Sequence, residues 1–165
     1  MKKVLVLGPS GSGKTTLGLK LGQTHNLKCL HLDSIAFKPN WILRGYDDIN
    51  EDLHKFMFEH DRWVMDGNWR KLLFHERLQA ADTIIYLDYG LEISKSGVLE
   101  RYEKYKGGPR PDVPQCIDNL DKDFLDYIEN FEENSGKYLK QLIRGIKDKQ
   151  VLIFQNREET NDYFK

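Results

Sequence analysis

Residues 8–15 read GPSGSGKT, and this octet decides the fold. Gly8, Gly13, Lys14 and Thr15 occupy every fixed position of the pattern G-x-x-x-x-G-K-[ST], the phosphate-binding loop of nucleotide-binding proteins. The flanks agree with it. KKVLVLG (2–8) is a short apolar run ending in glycine, as a buried strand would, and the spacing predicts a helix from Thr15 to about His25. Glycines let successive backbone N–H groups turn inward around a phosphate, and the following helix points its positive end at the same spot. Lys14 would neutralise β- and γ-phosphate charge, and the Thr15 hydroxyl would ligate Mg²⁺. The expected nucleotide-binding residues are therefore Gly8, Ser10, Gly11, Ser12, Gly13, Lys14, Thr15 and Thr16, with ATP and Mg²⁺ as cofactors.

Working outward, strand-like and helix-like segments alternate. KCLHLD (28–33), RWVMD (62–66), DTIIYLD (82–88) and QVLIFQN (150–156) read as further strands. Helices are expected over Asp48–His60, Lys71–Ala81 and Glu92–Lys106, with Asp48 and Glu51 forming a capping-box-like start to the first. An amphipathic stretch from Leu120 to Phe131 breaks near NSG (134–136), resumes from Tyr138 to Ile146, and the charged tail closes as a short helix. The pattern predicts an α/β fold, a three-layer α/β/α sandwich around a five-stranded parallel sheet. Ligands in such sheets bind at the carboxyl ends of the strands, where Gly8, Asp33, Asp66, Asp88 and Asn156 fall.

Composition narrows the function classes. The 165 residues carry 25 basic and 26 acidic side chains, a net charge of −1, so charge does not point to nucleic acid. No apolar run reaches the roughly 18 residues of a membrane span, and the start MKKVLVLGPSG does not read as a signal peptide, so the expected location is cytoplasmic. Cys29 and Cys116, the two cysteines, read as reduced thiols, Cys116 in a loop. His25, His31, His54, His60 and His75 show no metal-ligand spacing and read as surface or cap residues. A monomer and a dimer remain equally open.

A phosphate loop does not by itself separate kinases from other nucleotide-binding proteins. The N-K-x-D motif by which GTPases read the base is absent, and 165 residues are few for a large ATPase, which favours a small-molecule kinase. Asp66 closes the third strand, where a carboxylate would hold Mg²⁺ together with Thr15. VMDGNWR (64–70) also permits a simpler reading, since Asp-Gly between apolar stretches is a strong hairpin-turn signal. A helix-sized segment between the flanking strands argues against that turn.

DGNWR (66–70) resembles the D-G-F-P-R stretch of adenylate kinases, with Asp66, Gly67 and Arg70 matching and Asn68 and Trp69 departing. The resemblance implies that Arg70 grips the acceptor's phosphate and that the carboxylate helps to hold magnesium. Over most of the chain, GPSGSGKTTL, HLDSIAFKPNW, WVMDGNWR, ADTIIYLD and RPDVPQCIDNLDKDFLDYI resemble the topology modulation proteins, adenylate-kinase-related P-loop NTPases. That family implies a strand order of 2-3-1-4-5 and ATP binding. Its name points to DNA, and its residues look like those of a kinase.

On the acceptor side, Asp33 could orient or deprotonate a hydroxyl group, or serve merely as a turn aspartate before Ser34. FKPNWILR (37–44), within an insertion of about 34–60, offers Trp41 to stack on a ring and Arg44 to grip an anion, although packing is the plainer role for Trp41. The segment of about 92–118 reads as a lid: a basic helix followed by the Gly- and Pro-rich GGPRPDVP (107–114). Adenylate kinases carry two arginines four apart here; this chain has Gly97 and Arg101, with Lys95 or Arg110 as substitutes. Asn156 and Arg157 are expected near the adenine. The leading expectation is a kinase with Lys14, Asp33, Arg101 and Arg110 as catalytic residues and Asp33, Trp41, Arg44, Gly67 and Arg70 around a small acceptor. The competing class is a nucleotide-dependent regulator of DNA topology or of a partner protein, and a slow ATPase is a third.

Overall fold

The structure is a computed structural model that describes residues 1–165. Its elements in chain order are β1 (Lys3–Leu7), α1 (Lys14–His25), β2 (Lys28–His31), α2 (Leu32–Ala36), β3 (Phe37–Lys38), β4 (Ile42–Leu43), α3 (Tyr46–Glu59) and β5 (Trp63–Asp66). The second half comprises α4 (Phe74–Ala80), β6 (Thr83–Leu87), α5 (Leu91–Tyr105), β7 (Pro109–Arg110), β8 (Val113–Ile117), α6 (Lys122–Glu129), α7 (Lys137–Arg144), β9 (Gln150–Phe154) and α8 (Arg157–Tyr163).

Five strands form one parallel sheet in the order β2-β5-β1-β6-β9, which is the expected 2-3-1-4-5 order. Because successive side chains of a strand point to opposite faces, each central strand feeds two cores. Leu5, Leu7, Trp63, Met65, Ile84 and Tyr86 meet Ile49 and Leu53 of α3, Phe74 and Leu78 of α4, and Leu139 and Ile143 of α7. Val4, Val6, Val64, Ile85 and Leu87 meet Leu17 and Leu21 of α1 on the other face. Burial on both faces explains why these strands read as continuous apolar runs rather than alternating ones. Each fully buried large side chain stabilises the fold by about 1.5–3 kcal/mol, and this core fixes the loops at the strands' carboxyl ends.

Several boundaries differ from expectation for local reasons. The chain after β2 turns at once into α2, so Asp33 lies in a first helical turn rather than at a strand end. α3 starts two residues before Asp48, behind an extended Gly45 with no side-chain cap; Asp47 and Asp48 instead place negative charge in the first turn, where the helix dipole favours it. The break at NSG is a single π-type turn over Glu132–Gly136, and the helical path runs on through it into α7. GGPRPDVP is part of an antiparallel β7–β8 pair, which places Cys116 buried on a strand rather than in a loop. Asp66-Gly67 forms no hairpin, since β5 pairs in parallel with both neighbours.

Candidate active site

The phosphate loop joins β1 to α1, and its shape depends on glycine. Gly11 and Gly13 have φ of 79° and 90°, in the left-handed region, and a Cβ at Gly11 would lie 2.0 Å from the Ser94 carbonyl oxygen of α5. Gly97, four residues before Arg101, has the reciprocal fit: a Cβ there would lie 2.1 Å from the Gly11 carbonyl oxygen. α5 therefore seats its backbone directly on the loop, and an arginine at Gly97 is excluded by geometry. Ser12 Oγ donates to the Pro9 carbonyl at 2.8 Å, and Lys14 Nζ donates to the same oxygen at 2.7 Å. Burial lowers the Lys14 pKa to about 8, against the opposing pull of Asp66 and Asp33.

Thr15, the last residue of the octet, meets Asp66. Its Oγ1 donates to Asp66 Oδ1 at 3.3 Å. The third member of this group is His31, which the strand register sets opposite Asp66 at the carboxyl ends of β2 and β5. His31 Nδ1 lies 2.5 Å from Asp66 Oδ1 and 3.3 Å from Thr15 Oγ1. Its Nε2 faces Asp112 at 3.3 Å and Asp33 at 3.5 Å. Burial opposes charge on the imidazole, but hydrogen bonds and charge from Asp33 and Asp66 overcome it and raise its pKa to about 10. His31 is thus no surface residue; it is the hub of three carboxylates. Burial would likewise raise Asp33, yet the His31 bond and charge hold it down at about 2.

The two residues that depart from the adenylate kinase pattern turn out to face the two halves of the site. Asn68 Nδ2 donates to the Gly8 carbonyl at 2.8 Å, and its Oδ1 accepts from the Gly8 N–H at 3.0 Å, so the amide clips the start of the phosphate loop to the end of β5. Trp69 Nε1 donates to Asp33 Oδ1 at 2.7 Å. The loop carrying both is held by Arg77, fully buried on α4, which donates to the carbonyls of Leu72, Gly67 and Trp69 at 2.8, 3.4 and 2.8 Å.

One cavity of about 1410 Å³ gathers most of the expected site residues: Ser10 through Thr16, Asp33, Trp41, Asp66, Gly67, Arg70, Arg101, Arg110 and Arg157. Three expected residues are not brought to it. Gly8 lies behind the loop, where a Cβ would meet the Leu87 carbonyl oxygen at 2.6 Å, so glycine is required for close packing. Arg44 donates to the Ile35 carbonyl at 2.7 Å and pairs with Asp52 at 2.8 Å, fastening the insertion instead of facing a ligand. Asn156 caps α8, its side chain accepting from the Glu159 N–H at 2.9 Å.

Beyond Asp33 in the same cavity, Phe37 stands edge-on to Trp41 and Trp69, with ring centres 5.2 and 5.6 Å apart. Arg101 Nε donates to Asp118 at 3.1 Å, and Arg110 binds Asp112 through two nitrogens at 2.5 and 3.1 Å with Asp118 at 3.7 Å. Lys95 pairs with Glu129 and lies outside the cavity lining, so it does not replace the arginine missing at Gly97.

No protein-family model matches the chain, and no curated protein matches it. Solved structures do. A provisionally assigned kinase from Chloroflexus aurantiacus is 16% identical, with a TM-score of 0.54 over 99% of this chain and 96% of its own. Shikimate kinase from Acinetobacter baumannii, solved with shikimate, is 16% identical with a TM-score of 0.63 over 99% and 89%. Shikimate kinase from Bacteroides thetaiotaomicron is 17% identical with a TM-score of 0.54 over 98% and 93%. The fold is that of the P-loop kinases.

Proposed function

We propose that the protein is an ATP-dependent phosphotransferase that moves the γ-phosphoryl group to a small-molecule acceptor. The observation that carries this reading is the single cavity in which Lys14, Thr15 and Asp66 of the donor side face Asp33 and the aromatic acceptor wall. A phosphoryl transition state is loose and highly charged, so positioning and charge stabilisation make up most of the catalysis. Backbone N–H groups of the loop and the Lys14 ammonium bind the β- and γ-phosphates. Asp33, ionised at neutral pH, accepts a hydrogen bond from the attacking hydroxyl and orients it. With a pKa near 2 it is a positioning carboxylate more than a base. The segment from α5 to β8 covers the site as a lid, and Arg101 and Arg110 stand in the cavity lining, where they would meet the transferring group.

Thr15 Oγ1 and Asp66 Oδ1 are hard oxygen donors 3.3 Å apart, a separation compatible with neighbouring positions around a cation with metal–oxygen distances of about 2.0–2.1 Å. Thr15 and Asp66 are the residues that would hold Mg²⁺, and Asp66 Oδ1 would then exchange its contact with His31 Nδ1, 2.5 Å away, for the ion. Bound Mg²⁺ supplies neutralisation of the β- and γ-phosphate oxygens.

A screen of hydroxylated metabolites for ATP-dependent phosphorylation, with Lys14→Ala as control, tests the proposal. Acceptor-dependent ADP release that disappears in Lys14→Ala is the expected result. Tight ATP binding without transfer to any acceptor would overturn it, and would move the assignment to the nucleotide-dependent regulator that the resemblance to topology modulation proteins suggests. That class predicts DNA binding that changes with ATP and weakens with salt, measurable by mobility shift.

A further inference from the structure

Most charged groups around the acceptor wall are already matched to one another, and Arg70 is the arginine there that no carboxylate holds. Arg101 and Arg110 share Asp118, whose side chain is only 2% exposed, and Arg110 is also gripped by Asp112. Arg44 is tied to Asp52 and the Ile35 carbonyl outside the cavity. Arg70 lies at the exposed rim over the Tyr138 ring, 5.1 Å from its centre. Between these groups stands Asp33, ionised and held by Trp69. A phosphate or carboxylate seated beside the Trp41–Trp69 corner would have to pull Arg101 or Arg110 from a carboxylate already in place, since Arg70 stands at the exposed rim over Tyr138, and would then face Asp33 and Asp112.

What the wall does present is aromatic surface and a fixed hydrogen-bond acceptor. Trp41 has φ of 57°, a left-handed conformation costly for a bulky residue, as does Asn40 beside it at 63°. Its indole Nε1 donates to the Ile117 carbonyl at 2.7 Å, and the Arg110 guanidinium lies 5.6 Å from its ring centre, so the ring is locked in place between insertion and lid. Trp41, Phe37 and Trp69 thus form a rigid aromatic corner next to Asp33. Aromatic faces take the apolar face of a ring at low entropic cost, while a carboxylate accepts from hydroxyl groups along its edge.

We infer that the phosphoryl acceptor is a hydroxylated ring compound bearing no phosphate or carboxylate, seated on the Trp41–Trp69 corner with a hydroxyl on Asp33. The inference rests on the phosphotransferase reading and concerns the acceptor end of that same site.

The test titrates the wild-type protein, saturated with a non-hydrolysable ATP analogue and Mg²⁺, with matched pairs and follows tryptophan fluorescence. The pairs are a nucleoside and its 5′-monophosphate, a hexose and its 6-phosphate, and a cyclitol and a cyclohexene carboxylate such as shikimate. In at least one pair the uncharged member is expected to quench with a dissociation constant at least tenfold below that of its anionic partner. Trp41→Leu is expected to weaken that binding at least fivefold without changing nucleotide affinity. Anionic members that bind as tightly as their partners would overturn the inference, as would quenching by no uncharged compound. Transfer from radiolabelled ATP separates the two readings. An uncharged compound that binds without being phosphorylated leaves the acceptor class standing and removes the kinase. Preferential phosphorylation of an anionic member keeps the kinase and removes the acceptor class.

Discussion

Replacing Asn68 by alanine removes both hydrogen bonds that clip Gly8 to the end of β5. A buried N–H or C=O left without its partner costs about 1–3 kcal/mol, toward the lower value where water can reach it. Gly8 is buried and both bonds are partly so, and the expected loss for the two groups is about 2–4 kcal/mol. For a chain of this size each kcal/mol shifts the midpoint by about 2–4 °C, which gives a fall of roughly 5–15 °C in a thermal melt. Nucleotide binding adds a second readout. A loop no longer anchored at its first residue has to be ordered on binding, and a penalty near 1.4 kcal/mol weakens ATP about tenfold.

Asn68→Leu separates hydrogen bonding from the loss of side-chain atoms, because leucine keeps the same branched arrangement of heavy atoms and has neither polar group. It should lose as much stability and affinity as alanine. Melting within about 1 °C of wild type in both variants, with unchanged ATP affinity by calorimetry, would refute the anchoring argument.

Four further outcomes are expected. Lys14→Ala should abolish detectable ATP binding in calorimetry while leaving the circular dichroism spectrum unchanged, since the Lys14 ammonium bonds within the loop and not to the core. Gly97→Arg, which recreates the adenylate kinase arginine pair, should lose stability and not gain activity, because its Cβ would lie 2.1 Å from the Gly11 carbonyl oxygen; overpacking of this kind costs about 1–3 kcal/mol in a denaturant titration. Arg77→Met should cost about 3 kcal/mol or more in the same titration, since three carbonyls lose a charged donor. His31 has a folded-state pKa of about 10 against an ordinary 6.5, so its pairing stabilises fully below pH 6.5 and is lost as pH rises toward 10. The melting midpoint should therefore fall over that window more steeply in wild type than in His31→Gln; Lys14, lowered to about 8, acts with the opposite sign in both proteins and cancels in the comparison.

The fold was legible because its signals are local and redundant. Strands buried on both faces need continuous apolar runs, so KVLVL and TIIYL announce themselves, and GPSGSGKT fixes what lies between the first strand and helix. The sheet order came from the family resemblance, not from periodicity. What misled was also local: Asp33 reads as a strand end because KCLHLD has no breaker, yet α2 begins at Leu32. Similarly, GGPRPDVP has loop composition, although Arg110 pairs with Val113 across a two-stranded turn.

The site was legible only where a residue's role follows from its own segment. Lys14, Thr15 and Asp66 belong to that group, whereas His31, Asn68, Trp69 and Arg77 act on partners between 5 and 60 positions away. For His31 the signal was available: once β2 is set beside β5, His31 falls opposite Asp66 in register. Asn68 and Trp69 offered only the fact that they break the adenylate kinase pattern. Their positions give that break a physical meaning. Consecutive side chains at the end of β5 reach in different directions, Asn68 to the backbone that opens the phosphate loop and Trp69 to the carboxylate of the acceptor wall. A change at either residue is therefore expected to shift the phosphate loop against Asp33, and in the proposed kinase these two neighbouring residues would set the distance across which the phosphoryl group moves.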